Sequence, residues 1–306
     1  MSKKIVFMGT PEFSVQTLEV LAKSIYEIKC VYTQPPKKSS RGQNIKSSPI
    51  QIASEKFNLN VRSPRDLNSK EEYEYFKSLE PHIVIVVAYG KIIPKNYLNI
   101  SEKGFLNIHA SLLPKWRGAA PIQRSIINRD KETGISLMKI EEGLDVGPYM
   151  KQIKVKIDDQ TTTKLLNDKL SKIAAENILD CIKLVETNKA LFIKQDSTKA
   201  TYASKIDKIE SKINWKDNAD NILAKINGLN PYPGAWFEIE GERYKIWKAQ
   251  IVNSSGAPGE ILDNKSIIAC GKKSIKIVEI QKEGKSKLII EDFLKGTRIF
   301  QRKSIF

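Results

Sequence analysis

The chain of 306 residues is 41% hydrophobic and 28% charged, and its formal net charge is +16. This balance is ordinary for a globular protein of one large or two ordinary domains, and it excludes an intrinsically disordered chain. The positive charge is spread along the whole chain and points to a polyanionic partner, although a lysine-rich solvated surface would give the same value.

The cysteines and histidines limit the kinds of site that the chain can build. Cys30, Cys181 and Cys270 are widely spaced and odd in number, which argues against a disulfide framework. With only His82 and His109 in the chain, no His/Cys cluster has the spacing of a zinc site. We therefore predict no metal.

No segment has the pattern of a membrane span or a signal peptide. The clearest apolar run, at 83–88, is far too short to cross a bilayer. The basic N-terminus is followed by a short apolar run that suits a first strand. We therefore expect a cytoplasmic protein without membrane contacts.

The N-terminal residues predict the opening of a doubly wound α/β domain. Residues 5–8 predict a buried strand, and after a turn at 9–11 a helical stripe begins at Val15. Residues 29–34 predict a second strand, which completes a βαβ unit. The turn reads Gly-Thr-Pro and lacks the G-x-G-x-x-G pattern of dinucleotide binding, so we predict no NAD.

A polar and basic loop follows at 35–49, and it includes Arg41. A loop of this length in a compact domain is either functional or a disordered, solvated segment. Beyond it, the Ile/Val run at 83–87 predicts a central parallel strand that is buried on both faces.

Residues 105–109 predict a further strand of this sheet. Asn107 and His109 lie side by side on one face of it, because alternate residues of a strand share a face. Open α/β sheets bind ligands at the carboxyl ends of their strands, which is where these two side chains lie. An Asn-x-His pair is by itself more often structural than catalytic.

The remaining elements complete two domains. Residues 133–157 predict two strands joined by a turn at Asp145, a residue type that commonly stabilises turns through its side chain. An amphipathic helix at 161–187 closes the first domain. After a connection, short strands separated by glycine-containing turns favour a small β-barrel. We divide the chain into a domain at 1–187, a linker at 188–206 and a second domain at 207–306.

Three motifs resemble the formyltransferases that use 10-formyltetrahydrofolate. Residues 107–114 read N-x-H-x-S-L-L-P and residues 143–148 read G-L-D-x-G-P, which are similar to the two active-site signatures of this family. Residues 116–122 read W-R-G-A-A-P-I, which is similar to the methionyl-tRNA formyltransferases within the family. The resemblance extends over essentially the whole chain.

The resemblance implies a Rossmann-like formyltransferase domain followed by an OB-like, tRNA-binding β-barrel. It implies transfer of the formyl group of 10-formyltetrahydrofolate to the methionine α-amino group of initiator methionyl-tRNA, for translation initiation, by a monomer without a metal. The implied site residues are Asn107, His109 and Asp145 for catalysis, Ser111, Leu112, Leu113 and Pro114 for the folate, and Arg41 for the tRNA. The residue types suit this chemistry: an amide can donate to an oxyanion, and a histidine oriented by a carboxylate can carry a proton.

Two alternatives remain open at this point. A formyltransferase that acts on a small amine, such as glycinamide ribonucleotide, would share the three catalytic residues but has no need of a basic second domain. A non-catalytic RNA-binding protein would use a β-barrel and a basic surface, and the intact Asn107, His109 and Asp145 argue against it.

Overall fold

The computed structural model describes residues 3–39, 44–263 and 265–306. The strands are β1 (Lys4–Gly9), β2 (Glu27–Tyr32), β3 (Lys37–Ser39), β4 (Asn44–Lys46), β5 (Val61–Arg62), β6 (Ile83–Val87), β7 (Phe105–His109), β8 (Arg117–Gly118), β9 (Glu132–Lys139), β10 (Tyr149–Lys156), β11 (Tyr202–Ala203), β12 (Trp236–Ile239), β13 (Glu242–Val252), β14 (Ile267–Ala269), β15 (Ser274–Lys282) and β16 (Leu288–Ile289). The α-helices are α1 (Val15–Ala22), α2 (Pro49–Lys56), α3 (Lys70–Ser78), α4 (Pro121–Ile127), α5 (Thr163–Glu186), α6 (Ala219–Gly228) and α7 (Ile290–Lys295).

The chain folds as two compact units. The first consists of Met1–Ala119, Gly134–Val155 and Asn167–Ala203. The second consists of Ala120–Thr133, Lys156–Leu166 and Ser204–Phe306. Among the described residues, no helix is both long enough and apolar enough to cross a membrane.

The first unit is built on a sheet with the order β10-β9-β7-β6-β1-β2-β5. The strands from β7 to β5 are parallel, and β9 runs antiparallel to β7. β1 pairs with β2 on one side and β6 on the other, so the order of the sheet reverses beside β1. In a doubly wound sheet, this reversal opens a crevice at the carboxyl ends of the strands. The predicted α/β domain is confirmed.

The central strands are buried on both faces. Every residue of β6 and of β7 is buried, as expected for parallel strands covered on both faces. The buried Glu72 of α3 accepts hydrogen bonds from the Tyr32 hydroxyl at 2.7 Å and from Arg62 Nη2 at 2.7 Å. These bonds connect α3 to β2 and β5.

The second unit contains an antiparallel sheet with the order β12-β13-β15-β14, and β16 pairs with β15. Its core includes Ile222 and Ile226 of α6, together with Phe237 and Ile246 of the sheet. A side chain at Gly228 would come within 2.6 Å of Ile127, so only glycine permits this approach between α6 and α4. The small β domain that was predicted to follow the α/β domain is present as this curled sheet.

Two helices depart from the sequence-based prediction. No helix was predicted at α3, although Ser69 caps it by accepting a hydrogen bond from Glu72 N at 3.3 Å. The end of the chain was predicted as short strands, and there α7 is helical instead. Its acidic first turn, with Glu291 and Asp292, and Lys295 in its last turn suit a helix dipole.

Candidate active site

His109 ends β7 with both ring nitrogens close to oxygen atoms. Its Nε2 lies 2.9 Å from the Trp116 carbonyl oxygen, and because a carbonyl can only accept, Nε2 is the donor. Its Nδ1 lies 3.6 Å from Asp145 Oδ2. That separation exceeds an ordinary hydrogen bond, so Asp145 acts on the ring through its charge in this geometry.

Asp145 lies in the turn between β9 and β10. Its φ of 52° is in the left-handed region, where aspartate is among the few residues with a side chain that are commonly found. Its Oδ2 accepts a hydrogen bond from Gly118 N at 2.8 Å. The carboxylate is therefore held between the loop after Pro114 and the His109 ring.

Asn107 is two residues before His109 and shares its face of β7. The residue is 8% exposed, and no hydrogen-bond partner of its amide is found in the described part of the chain. Its donor and acceptor capacity is thus available on the face that carries His109. The structure brings these two residues and Asp145 together at the carboxyl end of β7.

The loop 111–114 follows β7, and polar side chains of β9 and β10 bond to its backbone. The buried Ser136 hydroxyl donates to the Ser111 carbonyl at 2.7 Å and accepts from Leu113 N at 3.0 Å. Gln152 Nε2 donates to the Leu113 carbonyl at 2.7 Å. Ser111 and Leu113 are buried, so the accessible side chains of this loop are Leu112 and Pro114.

Two further residues belong to the site although no role was predicted for them. Arg117 is 3% exposed and donates to Gln195 Oε1 through Nε at 3.1 Å and Nη2 at 2.8 Å. Gln195 Nε2 in turn donates to the carbonyls of Asp145 at 2.8 Å and Gly147 at 2.7 Å. The W-R-G string marks Arg117, whereas no local pattern marks Gln195.

The segment after Gln195 also contacts the loop after Pro114. β11 pairs with β8 in parallel, and Arg117 N donates to the Thr201 carbonyl at 2.9 Å. At Gly118, where φ is 117°, a Cβ atom would lie 2.9 Å from the Ala203 carbonyl oxygen. Glycine is required there by both the backbone conformation and this approach.

A second group of hydrogen bonds joins the segments that follow β1, β2 and β6. Thr10 Oγ1 donates to the Tyr89 carbonyl at 2.8 Å, and Gln34 Nε2 donates to the carbonyls of Tyr89 at 3.0 Å and Gly90 at 2.9 Å. Burial raises the pKa of the Tyr89 hydroxyl, so this group stays neutral. The Tyr89 ring is buried in the core.

The remaining predicted residues lie elsewhere or outside the described chain. Arg41 falls outside the described residues. Cys30, Cys181 and Cys270 are free and buried, and burial raises the pKa of the Cys30 thiol to about 11. In the described ranges, no group of three or more His, Cys, Asp or Glu residues could hold a metal ion.

Two family models match the chain. The model described as formyl transferase matches residues 3–182. The model described as formyl transferase, C-terminal domain, matches residues 205–298.

Curated and solved relatives agree with these matches. A methionyl-tRNA formyltransferase from Pelagibacter ubique (strain HTCC1062) is 55% identical over an alignment of 307 positions that covers 100% of this chain and 99% of that protein. HypX from Aquifex aeolicus, solved in complex with tetrahydrofolic acid, is 16% identical with a TM-score of 0.64. The match covers 96% of this chain and 47% of HypX, so the chain spans about half the length of HypX.

A third relative matches over its full length. An N-formyltransferase from Helicobacter canadensis, in complex with folinic acid and dTDP-3-aminofucose, is 21% identical with a TM-score of 0.69. The match covers 92% of this chain and 100% of that one. At such identities, the two solved structures establish a similarity of fold alone.

Proposed function

This chain belongs to the formyl transferase family, and we propose that it transfers the formyl group of 10-formyltetrahydrofolate to the α-amino group of methionine on initiator methionyl-tRNA, for translation initiation. The observation that carries this proposal is the 55% identity, over the whole chain, to the Pelagibacter methionyl-tRNA formyltransferase. The folate donor is further supported by the tetrahydrofolic acid and folinic acid in the complexes of the structural neighbours.

The reaction sets two requirements for the site. The amine attacks the formyl carbon, and the formyl oxygen becomes the oxyanion of a tetrahedral intermediate. The bond between this carbon and the folate nitrogen then breaks, while the attacking nitrogen loses a proton and the folate nitrogen gains one. The site therefore needs a donor for the oxyanion and a group that exchanges protons near neutral pH.

Asn107 is the residue that we assign to the oxyanion. Its neutral amide is a hydrogen-bond donor that needs no change of protonation, and its capacity is not used within the described residues. A strand position in the sheet holds such a donor in place before the reaction, which is the condition for effective oxyanion stabilisation.

His109 and Asp145 supply proton exchange in this proposal. A histidine can accept and release a proton near neutral pH. Nδ1, the ring nitrogen that is not bonded to Trp116, would exchange the proton, and the Asp145 carboxylate 3.6 Å away places a negative charge beside it. The Trp116 carbonyl, 2.9 Å from Nε2, fixes the other edge of the ring.

The loop 111–114 forms one wall of the folate site in this proposal. Leu112 and Pro114 provide its apolar surface, and the backbone at Ser111 and Leu113, which bonds to Ser136 and Gln152, supports that surface. The bonds from Ser136 and Gln152 keep that backbone in place.

The tRNA is assigned to basic surface outside the catalytic centre. Arg41 is our candidate for the acceptor end, residues 1–187 for the catalytic domain, 188–206 for the linker and 207–306 for the tRNA-binding domain. The net charge of +16 suits a polyanionic substrate. We propose a monomer, and the cytoplasm as its compartment because translation begins there.

The test is a formyl-transfer assay with 10-formyltetrahydrofolate and three acceptors: methionyl initiator tRNA, methionyl elongator tRNA and glycinamide ribonucleotide. We expect transfer to the initiator tRNA alone, and loss of transfer in His109→Ala. The matched control is His82→Ala, because His82 precedes β6 at its amino end and pairs with Glu102 at 2.8 Å. This control keeps the wild-type rate.

Each other outcome contradicts the proposal in a distinct way. Transfer to glycinamide ribonucleotide would assign the enzyme to a small amine. Binding of tRNA without transfer to any acceptor would indicate a non-catalytic RNA-binding protein.

A further inference from the structure

We propose that Gln195 and Arg117 are positioning residues that set the placement of Asp145 relative to His109, and that they determine kcat rather than substrate affinity. This inference rests on the proposed function. It assigns a role in catalysis to Gln195, which lies outside the three sequence motifs and within the predicted linker.

The Gln195 amide is fully used by the loops of the site. Its oxygen accepts two bonds from Arg117, at 3.1 Å and 2.8 Å, and its nitrogen donates to the carbonyls of Asp145 and Gly147, at 2.8 Å and 2.7 Å. Gln195 is 6% exposed, so water does not replace these partners readily. Loss of the side chain would leave buried polar groups of both loops without a partner.

The Asp145 backbone needs such support. Its φ of 52° is unfavourable for a residue with a Cβ atom, and such conformations persist where the surroundings fix them. Gln195 Nε2 bonds the carbonyls on both sides of Val146, so it fixes the turn that presents the carboxylate.

The two residues next to Arg117 contact His109 and Asp145. Trp116, the residue before Arg117, accepts from His109 Nε2 at 2.9 Å, and Gly118, the residue after it, donates to Asp145 Oδ2 at 2.8 Å. Arg117 is therefore between the two contacts that orient the ring and the carboxylate. Gln195 also joins this segment to the backbone of the Asp145 turn, so it acts together with the Gly118–Asp145 bond on the relative position of the two loops.

The partners of residue 195 require an amide rather than a carboxylate. Arg117 is 3% exposed, and no acidic side chain pairs with it in the described ranges. A carboxylate at 195 would neutralise this guanidinium, but it would lose both donors to the Asp145 turn. The amide satisfies the guanidinium on one side and the two carbonyls on the other.

The test compares Gln195→Met with Gln152→Met in the full-length protein. Gln152 is a matched control, because its amide holds the loop 111–114 through the Leu113 carbonyl and Ser136 Oγ. Gln195→Met lowers kcat about 10- to 100-fold, with both KM values within about 3-fold of the wild type. Gln152→Met instead raises mainly the KM for 10-formyltetrahydrofolate.

A double-mutant cycle separates positioning from general destabilisation. In an Asp145→Ala background, Gln195→Met produces no further fall in kcat, because the carboxylate that it positions is absent. An equal fall in both backgrounds, or a rise in KM at unchanged kcat, would overturn the proposal. If Gln195→Met does not fold, Gln195→Glu replaces it, because a carboxylate still accepts the bonds from Arg117. The same loss of kcat is expected for Gln195→Glu.

A readout without substrate keeps this test separate from the proposed function. Hydrogen exchange of the Gly118 amide accelerates in Gln195→Met and is unchanged in Gln152→Met, because this amide bonds Asp145 Oδ2. Unchanged exchange in Gln195→Met would overturn the positioning role. A wild-type protein that transfers no formyl group would instead contradict the proposed function and leave the exchange result to decide the positioning.

Discussion

Asn107 and His109 project from the same strand face, but their local partners differ. The His109 ring is bonded to the Trp116 carbonyl, whereas the Asn107 amide has no partner within the described residues. A side chain without internal hydrogen bonds contributes little to stability, so its removal should affect chemistry rather than folding.

Asn107→Ala is therefore expected to lower kcat about 100- to 1,000-fold, the usual cost of one oxyanion donor. The thermal midpoint should change by no more than a few degrees, because no bond is lost. Asn177→Ala is the control: Asn177 accepts from Lys151 Nζ at 2.7 Å and donates to the Ile173 carbonyl at 2.8 Å, so its loss should lower stability and preserve kcat. Equal kcat values for the two variants would refute the assignment.

At the residue scale, the sequence predicts candidate catalytic residues better than it predicts the residues that position them. Asn107, His109 and Asp145 are candidates because motif strings surround them; the structure places all three near the end of β7, and their catalytic role stays a prediction. Gln195 is not predictable in this way, since its partners are 78 and about 50 positions away and include two backbone carbonyls. Arg41 stays a prediction.

Arg124 of α4 connects that helix to the segment 204–210 of the second unit. Its guanidinium bonds both carboxylate oxygens of Glu210, at 2.7 Å and 3.1 Å, and donates to the Ser204 carbonyl at 3.1 Å. The bond from Arg124 lowers the pKa of Glu210 below its usual value. A lowered pKa means that folding favours the charged form, so the pair stabilises the fold above the pKa of the unfolded chain.

Glu210→Gln is expected to lower the free energy of unfolding by about 0.5–1 kcal/mol at pH 7, a value limited by solvent screening because the Glu210 side chain is 39% exposed. The difference from the wild type should shrink as pH falls below about 4.3, where Glu210 becomes protonated in the unfolded and then in the folded chain. Denaturant titrations followed by tryptophan fluorescence would measure it.

The matched control for this pair is Glu238→Gln. Glu238 is equally exposed, at 39%, but the one ion pair that it forms with the described residues is with Lys212, at 3.6 Å. We expect almost no change in unfolding free energy, because exposed single-contact pairs contribute little. Equal destabilisation by both variants, or a Glu210→Gln difference that persists at low pH, would contradict the role of Arg124.

Among the elements, the buried strands are the easiest to predict from the sequence. β1 and β6 contain continuous apolar runs, and β7 combines strand-forming apolar residues with Asn107 and His109; these strands were predicted because their residues are buried whatever the neighbouring strands are. α3 is mostly polar, but Tyr73 and Phe76, three positions apart, pack in the same core cluster, and Ser69 with Glu72 indicates a helix start, so its sequence does contain helix signals. α7 contains residues that suit strands, and its helical state depends on packing of Ile290 and Phe293 in the core.

At the scale of the whole molecule, the net charge of +16 affects how the tRNA substrate binds. Binding of a polyanion by lysine and arginine releases counterions, so affinity falls steeply as salt rises. The folate has far fewer charges, and the site that we propose for it includes the buried Ser111 and Leu113. The two substrates should therefore respond differently to ionic strength.

We expect the KM for initiator methionyl-tRNA to rise with salt, with about 0.7–0.9 added to the slope of log KM against log salt for each phosphate contacted. The KM for 10-formyltetrahydrofolate should change much less. Arg41→Ala should reduce the tRNA slope by about 1, because one phosphate contact is lost. Lys4→Ala is the control, because Lys4 pairs with Glu80 at 2.8 Å at the amino end of β1, and its slope should equal that of the wild type. A KM for the tRNA that does not depend on salt would contradict a role of the positive charge in binding. Equal slopes of log KM against log salt for Arg41→Ala and the wild type would exclude Arg41 from the tRNA site.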